Sequence, residues 1–508
     1  MVVAPKGNVT DGYQFVGHLL TSESRVPPVD SVSHGNDVGA MRHSPSSPES
    51  LGAFSRHWFD VVAEEESPCS AGARKARHCL ASEISGPAEL MDKFVRAMDS
   101  IASLISFTSF IIPVARLYRL EGGIFDYATK NLTAFEKGED FQSFSYTIDQ
   151  WPGLHKTIRE YLDLTQGALA LPKAILLSLV ATFDSYFAEI VQLFLAIHPE
   201  RYTASDRQIS LKEIFTKQSL EEVVRQVIEN EVSDLMRSSH TEQAQFVESN
   251  LNVKIISHYQ RWSHFVEIFG RRNLVAHGNL IVNDTYRNKC KEAKVSTIEE
   301  IGVALELNQE YLNNAVEVLT EFGVLLIFTL WKKHFVKSDE YAFKHISKTC
   351  YNFIVAEQFN LAKNLLEFCL YKQKRSCSDG IIRMMLINLA NCYKKLGLES
   401  ECKKALSSMD WSASKDQYQI CIASLRNHVE RVIELMPIVA TAKTISAREF
   451  REWPVLDWVR DDPAVIEAFE RIYGEPIRRV NAPSITGEIS TIAEDSKATT
   501  AEGGSPGG

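Results

Sequence analysis

The chain has 508 residues, of which 45% are hydrophobic and 24% charged, with a formal net charge of −10. That length can bury more than one core, roughly two to four domains' worth, in a composition ordinary for globular proteins. The acidic balance excludes a surface that is basic throughout and grips nucleic acid indiscriminately, so any such contact has to be local.

Nine cysteines, an odd number with no CxxC pair, argue against a disulfide framework or a zinc site and for a reducing compartment. A cytoplasmic location is therefore expected. The first residues lack a basic segment followed by an apolar core, as a secretory signal would have. No span is read as reaching the ~18 to 20 uncharged apolar residues of a bilayer helix. The nearest, Ser100 to Ala115, is short and carries Pro113, so it is read as a buried or peripheral helix, with no membrane partner.

Residues 1–89 are rich in Ser, Pro, Gly and His, as in "RVPPVDSVSHGNDVGAMRHSPSSPESLG", without sustained apolar periodicity. They are expected to be disordered. Met91 stands where periodic sequence begins, and the expectation this raises is that translation starts there. From 90 to 166 apolar residues recur at helical intervals, at Phe94, Met98, Ile101 and Ile105 and again at Leu154, Ile158 and Leu162. "EGGIFDYATKN" and "EKGEDFQSFSYTIDQWPG" between them carry the glycine and proline of loops.

Pro172 is expected to open a helix running to Ile197, since proline suits a first turn and Pro199 stops the pattern. Ser178, Thr182, Ser185, Glu189 and Gln192 draw one polar stripe along it. The stripe faces either solvent or a cleft shared with a later helix. Asp184, one position off it, is a weaker candidate for holding a catalytic group.

Two capping boxes follow, Ser210 with Glu213 and Ser219 with Glu222, the second opening a helix to Met236. A helix from about Val253 should then end at His277, because Gly278 is the residue expected just past a helix C-terminus. "NLIVNDTYRNKCKEAKVSTIEEIGVALELN" reads as an extended excursion bearing Arg287, Lys289, Lys291 and Lys294, either a positive patch or a solvated loop. Asn308 starts a last helix through Phe335.

From 340 to 441 the texture changes to helical hairpins. "NLANCYKKLGLESECKKAL" has the small and apolar spacing of a tetratricopeptide-like unit, with a fainter copy in "YNFIVAEQFNLAKNLLEF" that places Asn360 opposite Gly397. A helical module at 442–482 and a disordered tail at 483–508 complete the chain.

The chemistry is concentrated in Arg271-Arg272-Asn273-Leu274-Val275-Ala276-His277-Gly278. A guanidinium can hold a phosphate by two parallel hydrogen bonds, and an imidazole titrates near neutrality. At about 100° per residue, Arg272 and His277 diverge around a helix whereas Asn273 and His277 share a face. A distorted last turn, or a second copy of the chain, would close that gap. The alternative is structural, with Arg272 paired to a carboxylate such as Glu267 and His277 simply capping. No GxxxxGK[ST], GxGxxG or HExxH is present, which removes support for a kinase, a Rossmann enzyme or a metallohydrolase.

Residues 167–336, with the long apolar helix, "RRNLVAHG", "GNLIVNDTY" and "ELNQEYLNNAVEVL", resemble the HEPN family of all-helical domains. The resemblance implies an all-α fold, a HEPN-like bundle followed by tetratricopeptide-like hairpins. Many HEPN members are metal-independent ribonucleases that act as dimers, several of them in toxin or antiviral defence systems. Others have lost activity and only bind. Carried over by position, Arg272, Asn273 and His277 would be catalytic. Arg271, which departs from the family pattern by doubling the arginine, is expected as an added RNA contact, and Arg287, Lys289 and Lys291 of the basic patch as further ones. The expectation is an endoribonuclease with no cofactor and no metal, working as a homodimer on RNA, with a regulatory protein held by the C-terminal hairpins. The alternative is a non-catalytic helical RNA-binding or protein-interaction scaffold.

Overall fold

The computed structural model describes residues 5–6, 14–15, 19–20, 86–115, 122–137, 141–198, 217, 219–278, 280–335, 338–373 and 377–477. They form an all-α protein whose strands are confined to one small sheet. The chain divides into two compact units, Met1–Ala342 and Phe343–Gly508. The disorder expected at 483–508, most of 1–89, and the Ser210–Glu213 capping box lie outside the described residues.

In the first unit, two-residue strands β1 (Pro5–Lys6), β2 (Gln14–Phe15) and β3 (Leu19–Leu20) precede helices α1 (Pro87–Ala115) and α2 (Gly122–Asn131). The antiparallel hairpin β4 (Thr133–Lys137) and β5 (Phe141–Ser145) comes next, with β2 and β3 pairing to β5. The described residues of both stretches read as loops thus form helix or strand in part. "GGIFDYATKN" buries Ile124 and Ala128, four apart on one helical face, while Phe144 and Tyr146 alternate inward on the strand side.

Helix α3 spans Trp151–Ile197, so Pro172 lies inside it and does not start it. A proline removes one backbone donor and crowds one carbonyl, a local cost. Here the apolar face from Leu176 to Ile197, almost all of it fully buried, outweighs it. The polar stripe faces α1: Ser178, Thr182, Ser185 and Glu189 line a groove with Lys93, which pairs with Glu189 at 2.7 Å. It faces neither open solvent alone nor the helix that carries the motif.

Helices α4 (Leu220–Met236), α5 (His240–Asn250), α6 (Trp262–His277), α7 (Asp284–Glu292) and α8 (Gln309–His334) complete this unit. Ser219 caps α4 by accepting from the Glu222 N–H. The helix expected from Val253 begins only at Trp262, because Glu248 Oε1 accepts from both the Ile255 and Ile256 N–H groups and holds that stretch in turns. The core is aromatic. Phe94 stacks on Tyr186 with ring centroids 3.9 Å apart, and Phe183, Phe265, Phe269 and Phe322 pack edge to face or tilted around them.

Among the described residues, two helical spans, Gln166–Ile197 and Gln309–His334, are long and apolar enough to cross a bilayer by length and composition, though each carries charged residues. In α8 83% of that window is buried inside the protein, as in a core helix.

Among its described residues the second unit holds three helical hairpins, not two, the first helix of which starts at the end of the first unit. They are α9 (Asp339–Val355) with α10 (Phe359–Glu367), α11 (Asp379–Lys395) with α12 (Glu399–Ser407), and α13 (Asp416–Leu425) with α14 (Val429–Thr441). Each turns through one residue in the left-handed region, Glu357 at φ 60°, Gly397 at 73° and Asn427 at 56°. In each, the following N–H reaches back five residues: Gln358 to Phe353 O, Leu398 to Tyr393 O and His428 to Ala423 O. The counterpart of Gly397 is thus Glu357, three residues before Asn360. Helices α15 (Ala447–Glu452), α16 (Asp457–Arg460) and α17 (Pro463–Tyr473) close the described chain.

Candidate functional site

Helix α6 carries Arg271, Arg272, Asn273 and His277 in its last two turns and ends at His277, with Gly278 as its cap. The N–H groups of Gly278 and Leu280 both donate to Leu274 O, at 2.8 and 3.1 Å. Leu280 adopts a φ of 65°, which turns the chain back so that Ile281 bridges to Ala304 and the Val282 N–H donates to Val303 O. Buried Leu274, Leu280, Val282, Tyr286 and Cys290 form a small core beneath this clasp. Gly270 makes the close approach of α7 to α6 possible, since a Cβ there would stand 3.0 Å from the Tyr286 ring.

The excursion is not extended throughout. Asn283 accepts from the Tyr286 N–H and caps α7, so Arg287, Lys289 and Lys291 sit on a helix, with Lys294 just beyond its end. Asn273 and His277 open into one groove of about 330 Å³, rimmed on the α7 side by Asn283, Thr285 and Lys289. His277 is exposed, while Asn273 and Lys289 are half-buried. Arg287 and Lys291 lie on another face of α7 and do not line the groove. The Arg287 Nε is buried without a hydrogen-bond partner, and Lys291 is exposed.

Arg272 diverges from that groove, as the helical spacing requires, but its Nη1 donates to Asn273 Oδ1 at 3.0 Å. Its Nε is buried and has no hydrogen-bond partner. The motif's guanidinium is thus tied to the residue that lines the groove.

Arg271, expected to contact RNA, is engaged within the fold. Its Nε donates to Glu267 Oε1 at 2.7 Å, its Nη1 to Glu306 O at 3.0 Å, and its guanidinium lies 3.9 Å over the Tyr311 ring. Glu267, buried on the apolar face of α6, also accepts from Tyr286 Oη at 2.7 Å and from Tyr311 Oη at 2.8 Å. Arg271, and not Arg272, is therefore the partner of Glu267, and the cluster ties α6 to α7 and α8. Burial, then the Glu267 charge, push both phenols well above the ordinary tyrosine range. Burial also raises the Cys290 thiol to about 11. Burial opposes the Arg271 charge, but Tyr311 and Glu267 outweigh it and hold its pKa above the ordinary value.

Asp184 does hold a histidine, though not one of the motif. Its Oδ1 lies 2.7 Å from His240 Nε2, and the His240 ring lies flat on Phe269 with centroids 3.5 Å apart. Phe269 precedes Asn273 by one turn on the same face of α6, but neither it nor His240 lines the groove. His240 escaped the sequence reading, although Ser239 and Glu242 form a complete capping box that marks the start of its helix. Hydrogen bonds from Ser239 hold the Glu242 carboxyl below its ordinary range, with a smaller contribution from Lys289.

The groove thus gathers an imidazole, a carboxamide and an ammonium, with a guanidinium one hydrogen bond away. That set can bind a phosphodiester and move a proton on it. Comparison with protein-family models, curated proteins and solved structures found nothing that matches the chain.

Proposed function

We propose that this chain is a metal-independent endoribonuclease of the HEPN type. The observation that carries the reading is that Asn273 and His277, four residues apart, open together into a groove rimmed by Lys289.

In the reaction proposed, the RNA 2′-hydroxyl loses its proton to a base and attacks the adjacent phosphorus. The O2′–P bond forms as the P–O5′ bond breaks, and the departing 5′-oxygen takes up a proton. The products are a 2′,3′-cyclic phosphate and a 5′-hydroxyl. His277 supplies the proton acceptor or donor, a role worth about 10² to 10⁴ in rate. Arg272 and Lys289 face the negative charge that builds on the phosphorane, and Asn273 holds the Arg272 guanidinium in reach.

One imidazole serves one proton transfer at a time. A second copy of the chain, related by a two-fold axis, would bring the second imidazole and double the positive charge over the scissile bond, so the acting form proposed is a homodimer.

The test is cleavage of single-stranded RNA by the purified chain in the presence of EDTA. Wild type should leave 2′,3′-cyclic phosphate ends and the His277→Ala variant should not. Equal cleavage by both removes this reading. A non-catalytic scaffold would instead bind RNA and leave it whole in both.

A further inference from the structure

The second unit contains a groove of about 290 Å³ between α9, α11 and the segment that follows α15. Its walls are apolar, with Ile354, Met384, Ile387 and Val455 among them. Polar side chains interrupt them, Ser347 and Asn388 among these. Ser347 is 8% exposed and Asn388 7%, and among the described residues neither has a hydrogen-bond partner.

The polar atoms of these two open to the groove and are not sealed off from solvent, so a ligand with matching donors and acceptors can reach them. A carboxamide presents a donor and an acceptor side by side, the complement of the N–H and C=O of one extended residue. At the α9 rim stand Lys344 and Lys348, one turn apart, both exposed and neither paired with a carboxylate among the described residues. In a chain of net charge −10 that is a local invitation to an anion.

The same face already holds a piece of this chain by the same chemistry. Trp458 Nε1 donates to Asn391 Oδ1 at 2.8 Å, and Ser424 Oγ donates to Val455 O at 2.7 Å. Asn391 lies three residues beyond Asn388 on α11, so one amide is occupied by the 453–458 segment and its neighbour is vacant.

We propose that this groove docks an extended peptide segment of a partner protein, which places a bulky apolar side chain in the cavity, a main-chain amide on Asn388 and a carboxylate against Lys344 and Lys348. The proposal stands apart from the nuclease reading and uses none of its residues. Apolar wall, vacant amide and paired cations together specify an acidic, apolar segment and disfavour a basic one.

The experiment titrates the full chain by fluorescence polarisation into labelled octapeptide pools. Alternate positions are fixed as leucine with aspartate, leucine with lysine, or serine with aspartate, and the rest are degenerate. The leucine–aspartate pool should bind at least about tenfold more tightly than either of the others. Asn388→Leu, which keeps the side-chain volume and removes the amide, should weaken that binding about tenfold. The exposed pair Lys344→Glu and Lys348→Glu should abolish the preference for aspartate over lysine, with the circular dichroism melt unchanged. No preference among the pools, or undiminished binding by Asn388→Leu, overturns the proposal. So does saturation of the groove by dodecanoate with no peptide pool bound, which would assign it to a fatty acid.

Discussion

The Arg272 guanidinium donates to the side-chain oxygen of its own neighbour, Asn273, at 3.0 Å, while Asn273 and His277 line the same groove. This bond bears on the proposed chemistry, because arginine and histidine diverge around the helix while the proposal has both serve one phosphate. Removing the amide should free Arg272. Asn273→Ala is expected to lower the rate of RNA cleavage about 10- to 100-fold, chiefly in kcat, because misplacement of a charge-stabilising group is felt in the transition state. Single-turnover kinetics check this, and a change confined to KM would contradict it.

Among the basic residues of α7, only Lys289 rims the groove. Lys289→Ala should weaken RNA binding and lower the slope of log affinity against log salt by roughly one phosphate's worth, whereas Lys291→Ala should leave both near wild type. Binding titrations at several salt concentrations distinguish the two variants.

Glu267 is a buried carboxylate paired with the half-buried Arg271, with two phenols attached, and its loss should act on stability before activity. Glu267→Ala leaves the Arg271 guanidinium and both tyrosine hydroxyls without their acceptor, and should destabilise the first unit by about 3 to 5 kcal/mol. Denaturant unfolding followed by tyrosine and tryptophan fluorescence measures it. The same cluster predicts an alkaline limit. The phenols of Tyr286 and Tyr311 have folded-state pKa values above the ordinary 10.0, so their contribution is complete below that value. It is lost as pH rises from there towards the folded value, because the unfolded state releases these protons first. Phenolate absorbance from these two residues should appear only together with unfolding.

Glu357 holds the left-handed turn position that Gly397 occupies in the next hairpin. A left-handed L-residue costs about 1 to 2 kcal/mol, and a glycine's extra chain entropy returns about half of that. Glu357→Gly should therefore stabilise the second unit by about 0.5 to 1 kcal/mol, read as a shift in the denaturation midpoint.

The sequence carried the ends of helices better than their beginnings. Gly278 after α6, and Asn308 and Phe335 on either side of α8, stand where their local chemistry put them. Pro172 misled because a single local cost was set against a long buried face that only the tertiary fold makes visible. The start of α6 was hidden because Glu248, seven residues away, takes the N–H groups an earlier start would need. At the candidate site, the shared face of Asn273 and His277 followed from the 3.6-residue period. The division between Arg271 and Arg272 did not, since it depends on Glu267, Tyr286 and Tyr311 converging from three helices. The third hairpin was missed because its turn residue is Asn427 and the first one's is Glu357, so the repeat lies in the backbone and not in the residue types.

The central claim rests on His277 acting on RNA from this groove. Its most direct measurement is the rate of cleavage of a single-stranded RNA by wild type and by His277→Ala in EDTA, with product ends analysed. The account predicts a loss of at least about 10²-fold in the variant and 2′,3′-cyclic phosphate ends from the wild type. Cleavage by the variant at the wild-type rate, or intact RNA with wild type and variant alike, would contradict it.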